Sequence, residues 1–571
     1  MNNIAEEQKK PLYTVGISTG FWRIGKDPNL LGLAQKIGGL GATGGIRFVQ
    51  IDLETIAEFA EPDVRNQIRR IQSKLGIGEV GLHGEIGELM ALDSAEKRIW
   101  DQTHRRLCQT VKFAAEVGFL YVNVHFSNKQ FISFTEAQHR TQGYFYPVVG
   151  YDGRGLQNVV KDHPAIWDEV KKRMPRTLSQ SGTFQEKYRA LRESKIAQAP
   201  VLIEQAVRRD MEMIPEGQRT PEERKRREEY HKNQIVPSLL QQAREEAQSP
   251  EFEFDAWLNL RDDESEKYQL DDGEWGAYHV IAHCMKAAHD TFWSNIAGNK
   301  DPESLYFKDE QAFCAAVSSK YIEGHLTLKD NDANRKHLDG MSVKEWCEKH
   351  KLMLLLENPE SGEGAEGLYR LFDPQQFYFT IKKIGSPYVR VTIDFEHMVS
   401  QGIDPDDMLP KLPGDFGKMI FLFHLGQAVP YGGTAHIPIA RGSIAQEQIY
   451  RWLFWMRKKG WTRGYMMFER GGGRTGQGRL PNEVFEDSVQ ALRQIATYLE
   501  KDAKPEALPP EFYGVSVRNE PVWARQMVAI REHAWDPLEG LLSVPEEKHT
   551  FLSKTAVEKN KAQEWEKRKF R

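Results

Sequence analysis

What most limits the fold of this chain is a rhythm: short apolar runs rich in β-branched residues, each followed by a longer amphipathic stretch. LYTVGIS (12–18), IRFVQID (46–52), EVGLHG (79–84) and LYVNVHFS (120–127) form a first series. LMLLLENP (352–359), YVRVTIDFEH (388–397), KMIFLFHLG (418–426) and GYMMFERGG (464–472) form a second. Between them lie stretches with helical spacing, such as PDVRNQIRRIQSKLG, AEKRIWDQTHRRLCQTVKFAAEVG and EQIYRWLFWMRKKG. Strands that alternate with helices belong to parallel sheets covered by helices. Eight such units predict an α/β fold, a (β/α)8 TIM barrel interrupted after its fourth strand.

The interruption has its own character. KYRALRESKIAQAPVLIEQAVRRDMEMI and TPEERKRREEYHKNQIVPSLLQQAREEAQ combine helical spacing with dense mixed charge, and the aromatic segments EFEFDAWLNL and WGAYHVIAHCMKAAHDTFW follow. The expected division is a first half-barrel at 12–130, a mainly helical insertion at 131–310, a second half-barrel at 311–503 and a C-terminal extension at 504–571. That extension opens Pro-rich and closes with the charged KTAVEKNKAQEWEKRKFR. The insertion leaves from the loop after the fourth strand, so it is expected to border the barrel mouth as a lid, a nucleic-acid clamp or a contact for a protein partner or for self-association.

A net charge of −5 over 571 residues offers no general attraction to polyanions, so any nucleic-acid site must be local. Cys108, Cys284, Cys314 and Cys347 are scattered without CxxC spacing and form neither a disulfide framework nor a zinc ribbon. The first residues, MNNIAEEQKKPLY, lack an apolar core, and no apolar run is long enough to span a bilayer. A cytoplasmic protein without membrane partners is the expectation.

Chemistry concentrates where the apolar runs end. VTIDFEH closes a buried-looking strand with Asp394, Glu396 and His397, groups that are costly to desolvate without a partner. A metal ion is one efficient partner. The other runs end alike: His83, His125, Glu357, His424 and Glu469 all stand at strand exits, with His436 in the loop after His424. In a TIM barrel the eight strand ends converge on one mouth, so these groups are expected to meet there.

In their order, LHGEI, NVHFS, LLLENP, TIDFEH, FLFHLG, AHIPIARG and MMFERG resemble the xylose-isomerase-like TIM-barrel superfamily, and most of all the endonuclease IV family of abasic-site nucleases. The resemblance spans about residues 12–130 and 340–500. It implies a metal-dependent phosphodiesterase acting in DNA repair, with two or three divalent ions, zinc or manganese. On that pattern His83 and His125 hold a first metal, and Glu357 bridges it to a second held by Asp394, His424 and Glu469. His397 and His436 correspond to ligands of a third metal, but the aspartate expected two residues before His436 is Thr434, a poor zinc ligand. Two cations about 4 Å apart would generate hydroxide and neutralise the leaving oxygen of DNA or another phosphodiester. Neutral imidazoles on the first metal would leave its water acidic.

Two other readings stand beside this one. Sugar isomerases and epimerases of the same superfamily need a single metal held by two glutamates, an aspartate and a histidine, and Glu357, Asp394, His424 and Glu469 suffice. There Glu357 and Glu469 would exchange a proton at carbon, while His397 and Arg441 orient the oxygens of a sugar or phosphorylated substrate. The alternative to catalysis is a scaffold whose insertion is the working surface. Among lesser signals, GGGRTG (471–476) reads as a mouth loop in which Arg470 and Arg474 could meet a phosphate, and His279 and His283 read as packing residues of a helix. Ile86 stands where a duplex-opening nuclease would use an aromatic wedge.

Overall fold

The computed structural model describes residues 11–18, 46–52, 77–84, 97–125, 154–173, 182–213, 220–260, 310–328, 336–361, 371–428, 437–469 and 481–514, with isolated positions between them. Within these, strands β1 (Tyr13–Ser18), β2 (Phe48–Asp52), β3 (Glu79–His83), β4 (Tyr121–His125), β5 (Met353–Glu357), β6 (Val389–Asp394), β7 (Ile420–Leu425) and β8 (Gly464–Phe468) pair in chain order. Every pairing is parallel, and β1 joins β8 to close the barrel. The fold is therefore the expected (β/α)8 barrel.

Side chains alternate along a strand, and here the alternation separates two cores. One set of positions, among them Val49, Ile51, Val122, Val124, Leu354, Leu356, Val391, Ile393, Phe423 and Leu425, joins the large core beneath the helices. The other set fills the barrel: Phe48, Tyr121, Leu355, Leu422 and Met467 form a separate buried cluster. Two glycines make room for its rings. A Cβ on Gly16 would overlap Phe48, and one on Gly81 would overlap the Tyr121 ring. Two residues beyond this aromatic layer, on the same inward positions, come Gln50, Asn123, Glu357, His424 and Glu469.

The helices that surround the barrel are α1 (Lys97–Val117) in the first half, and α8 (Glu310–Thr327), α9 (Val343–His350), α10 (Pro374–Ile384), α11 (Phe395–Ser400), α12 (Pro405–Lys411), α13 (Ile444–Lys458) and α14 (Pro481–Glu500) in the second; between them come α2 (Leu156–Asp162), α3 (Ala165–Arg173), α4 (Gly182–Glu212), α5 (Pro221–Tyr230), α6 (Val236–Glu246) and α7 (Pro250–Leu260). Local sequence sets their ends. Ser342 and Glu345 form a capping box on α9, and Asp373 and Gln376 form one on α10, where Pro374 opens the helix and Gly385 ends it at φ 64°. The run VTIDFEH is not strand throughout. It turns at Asp394, whose carboxylate accepts from the His397 backbone N–H at 3.1 Å and caps the short helix α11.

Between β4 and β5, α4 packs on α6 and α7, and α7 on α2 and α3. Their small core includes Leu156, Val160, Ile166, Trp167 and Phe254, with the Trp167 and Phe254 rings 5.2 Å apart. The stretches joining this group to β4 and to α8 lie largely outside the described residues. At the other end, Phe512 and Tyr513 pack onto the barrel's helix layer: Gln446 donates to the Phe512 carbonyl at 3.0 Å, and Tyr513 to Glu447 at 2.8 Å. Cys108, Cys284 and Cys347 are buried free thiols. No described helix is long and apolar enough to cross a membrane.

Candidate metal centre

Strand register brings the exit residues to one level. His125 stands beside Glu357, Asp394 beside His424, and His83 between Asp52 and Asn123. Glu469 lies one residue past β8, where its backbone N–H donates to Leu425. Two groups of ligand atoms result, each within 4.8 Å: His83, His125 and Glu357, and Glu357, Asp394, His424 and Glu469. Glu357 belongs to both. All six residues are buried or nearly so, Glu469 being the most open at 12%.

The hydrogen-bond pattern of each imidazole tells which nitrogen is offered inward. His83 Nδ1–H donates to the Gly84 carbonyl at 2.8 Å, which leaves Nε2 facing Glu357 Oε2 at 3.3 Å. His125 Nε2 lies 3.8 Å from the same oxygen. His424 is turned the other way. Its Nδ1 meets Glu357 Oε1 at 2.8 Å and Glu469 Oε2 at 2.6 Å, while Nε2 lies 3.2 Å from Gln50 Oε1. One nitrogen carries at most one proton, so one of the two carboxylate oxygens facing Nδ1 has no donor, and Glu469 Oε2 is that buried, unbonded atom. Three acceptors aimed at one point, with Asp394 beside them, are what a divalent cation satisfies. The residues present fit such an ion, and the mixed N and O donors suit zinc or manganese.

The same crowding sets the proton affinities. Burial alone would depress His83, but the hydrogen bond and charge of Glu357 prevail and push it up to about 9. His397 is likewise raised to about 9, burial being outweighed by Asp394 and Glu357. Burial keeps His125 down at about 4 against the pull of Glu357. Against burial, His424 holds Glu469 down to about 2 and Glu357 well below the usual carboxylate range. Asp394 rises to about 7 because burial, with Glu469 and Glu357 nearby, outweighs His397. Positive charge is thus favoured between the carboxylates, whether carried by protons or by a metal.

The remaining candidates are placed less centrally. His397 donates from Nδ1 to the Asn358 carbonyl at 2.8 Å, and its Nε2 lies 3.7 Å from Asp394, at the edge of the four-ligand group and outside it. Arg441 is exposed, with its guanidinium against Gly514, and no described interaction joins it to the cluster. Glu396 packs against Gly426. His436, Thr434, Ile86, Arg470, Arg474, His279 and His283 lie outside the described residues, and no third ligand group occurs among those described.

Four polar residues not singled out in the sequence support the ligands. Asn123 donates to Glu357 Oε2. Asn358 pins the Asp394 backbone from both sides, donating to its carbonyl at 2.9 Å and accepting from its N–H at 2.8 Å. Gln50 and Tyr121 stand behind His424. Their signal was available: Gln50 and Asn123 are amides in otherwise apolar strands, two residues before the strand end and therefore on the same face as the exit residue.

No protein-family model matches the chain, and no curated protein matches it. Among solved structures it is similar to an L-ribulose 3-epimerase, at 10% identity over 85% of this chain and 95% of that one, with a TM-score of 0.38. A D-psicose 3-epimerase from Clostridium cellulolyticum H10, solved with D-tagatose, is 10% identical over 86% and 98%, TM-score 0.34. The catalytic domain of a β-amylase from Paenibacillus polymyxa is 9% identical over 87% and 99%, TM-score 0.33. At these scores and identities the likenesses carry no argument about what this chain binds or turns over.

Proposed function

We propose that the chain is a metal-dependent isomerase or epimerase of small polyhydroxylated carbonyl compounds, with one divalent cation held by Glu357, Asp394, His424 and Glu469. The observation that carries this reading is the unanswered acceptor in the four-ligand group: Glu469 Oε2 is buried and unbonded beside His424 Nδ1, whereas His83 Nε2 already faces Glu357 Oε2 at 3.3 Å.

When bound, the cation polarises the carbonyl oxygen of the substrate. Glu357 from β5 and Glu469 from the end of β8 then provide two carboxylates beside one substrate carbon. One removes the proton next to the carbonyl: the C–H bond breaks and its electron pair delocalises onto oxygen. The other returns a proton to the opposite face of that carbon, or to its neighbour, giving an epimer or an isomer. His397, whose Nδ1 donates to the Asn358 carbonyl and whose Nε2 lies 3.7 Å from Asp394, is placed to donate from Nε2 to a substrate hydroxyl. Arg441 has no part in this reading.

A second reading, metal-dependent phosphodiester hydrolysis, is favoured by a specific observation: His83, His125 and Glu357 form a ligand group of their own. Manganese- or zinc-loaded protein incubated in D2O with a ketose panel, and separately with abasic-site and nicked DNA, separates the two. Deuterium at the carbon next to the carbonyl, without DNA cleavage, is expected. Metal-dependent DNA cleavage with no exchange in any ketose would overturn the proposal.

A further inference from the structure

A line of hydrogen bonds runs from the aromatic layer of the barrel up to the metal centre, and each member constrains the next. The Asp52 carboxyl oxygen Oδ1 accepts from Gln50 Nε2 at 3.1 Å. That fixes the Gln50 amide, so Oε1 is the atom presented to the barrel axis. Two groups meet Oε1 there: the Tyr121 hydroxyl at 2.9 Å and His424 Nε2 at 3.2 Å. Both must donate. With a cation on Nδ1, the atom that faces Glu357 and Glu469, His424 then keeps its one proton on Nε2.

Tyr121 reaches this point because of a gap in the neighbouring strand. Its ring fills the space over Gly81, where a Cβ would overlap both ring and hydroxyl. Tyr121, Gln50 and His424 are each fully buried, so no water competes for these bonds. Without the amide oxygen, the imidazole has no reason to prefer Nδ1 as its free nitrogen, and the four-ligand group loses its only nitrogen donor.

We infer that Gln50, oriented by Asp52 and by Tyr121 seated in the Gly81 gap, is the positioning residue that sets the tautomer of His424 and thereby makes the four-ligand site competent for a cation. The inference rests on the proposed metal site and adds to it residues outside the ligand set. Supporting residues behind a metal-bound histidine hold its ring and tautomer, and losing one typically weakens metal binding about 10–100-fold.

The test is Mn2+ and Zn2+ affinity of the purified full chain, by competition with a chelator, for wild type, Gln50→Met, Tyr121→Phe and Gly81→Ala. Metal-free thermal unfolding of each shows whether it folds. Gln50→Met should weaken both ions at least about tenfold. Tyr121→Phe, which removes one hydroxyl and leaves the ring in place, should weaken them by a smaller factor without lowering the metal-free melt. Gly81→Ala, which pushes the ring out of its seat, should weaken both ions at least as much as Tyr121→Phe and should also lower the metal-free melt. In zinc-loaded wild type, proton NMR should show a slowly exchanging imidazole N–H that is absent from Gln50→Met. If wild type binds the ions and Gln50→Met and Tyr121→Phe bind them equally well, the inference is overturned while the metal site stands. If wild type itself retains no added cation, the metal reading is overturned and this inference with it.

Discussion

The mouth of the barrel and the helices between β4 and β5 are both rich in charged residues, yet they use them in opposite ways. At the mouth the described charged residues are buried against one another: the Glu357 carboxylate, fully buried, contacts His83, His424 and Asn123. On α4 and α5 the ion pairs are exposed, as between Arg227 and Glu223 at 3.3 Å or Arg208 and Glu212 at 3.6 Å, and Val201 and Leu202 are more than half exposed. Buried polar groups are costly without partners, whereas exposed pairs are worth about 1 kcal/mol or less. Substitution should therefore be felt sharply in one region and faintly in the other.

The largest effect is expected at a ligand. His424→Ala should lower manganese affinity by more than the ~100-fold typical of a supporting residue, and with it abolish turnover. Elemental analysis and activity assays check this; a variant that keeps its metal would break the contrast at its strongest point. Just below the site, Leu355→Ala opens a hole in the closed inner layer and should cost about 2–5 kcal/mol in denaturant unfolding.

A third expectation concerns buried histidines outside the mouth. His325, on α8, is fully buried and stacks on Trp100 at 4.4 Å, and burial holds its proton affinity well below the ordinary value. His104 is lowered by burial as well. In the folded state both stay neutral, while in the unfolded chain they take up protons below about pH 6.5. Stability should thus be full above that pH and fall as pH drops, by up to about 1.4 kcal/mol per unit for each group. Unfolding curves from pH 7 to 5 measure it, and His325→Phe should flatten the slope; an unchanged slope would show that His325 is not held neutral. The smallest effect belongs to the exposed helices, where Arg227→Ala should change stability by no more than about 0.5 kcal/mol. A loss of several times that size would mean that the pair is not simply a solvated one.

Strand positions and their terminal ligands were readable in the sequence because burial on both faces leaves an apolar run whose end is conspicuous. His83, His125, Glu357, Asp394, His424 and Glu469 all stand at the ends of such runs, and all six meet. What was not readable was how the runs end and what stands behind them. In YVRVTIDFEH the apolar Phe395 extends the strand pattern, but a carboxylate that caps its own third neighbour turns the chain into helix at Asp394. Gln50 stands out as an amide in an apolar strand, but what it holds, and the seat of Tyr121 in a gap at Gly81, depend on which side chains lie across the barrel. Arg441, read from the sequence as a residue that orients substrate oxygens, lies with its guanidinium against Gly514.

The proposed site holds one cation, on Glu357, Asp394, His424 and Glu469. Anomalous diffraction from crystals of the manganese-loaded protein tests it most directly, with occupancy checked against metal content in solution. A single strong peak among those four side chains is expected. Two peaks of comparable height, one of them between His83 and His125, would contradict it.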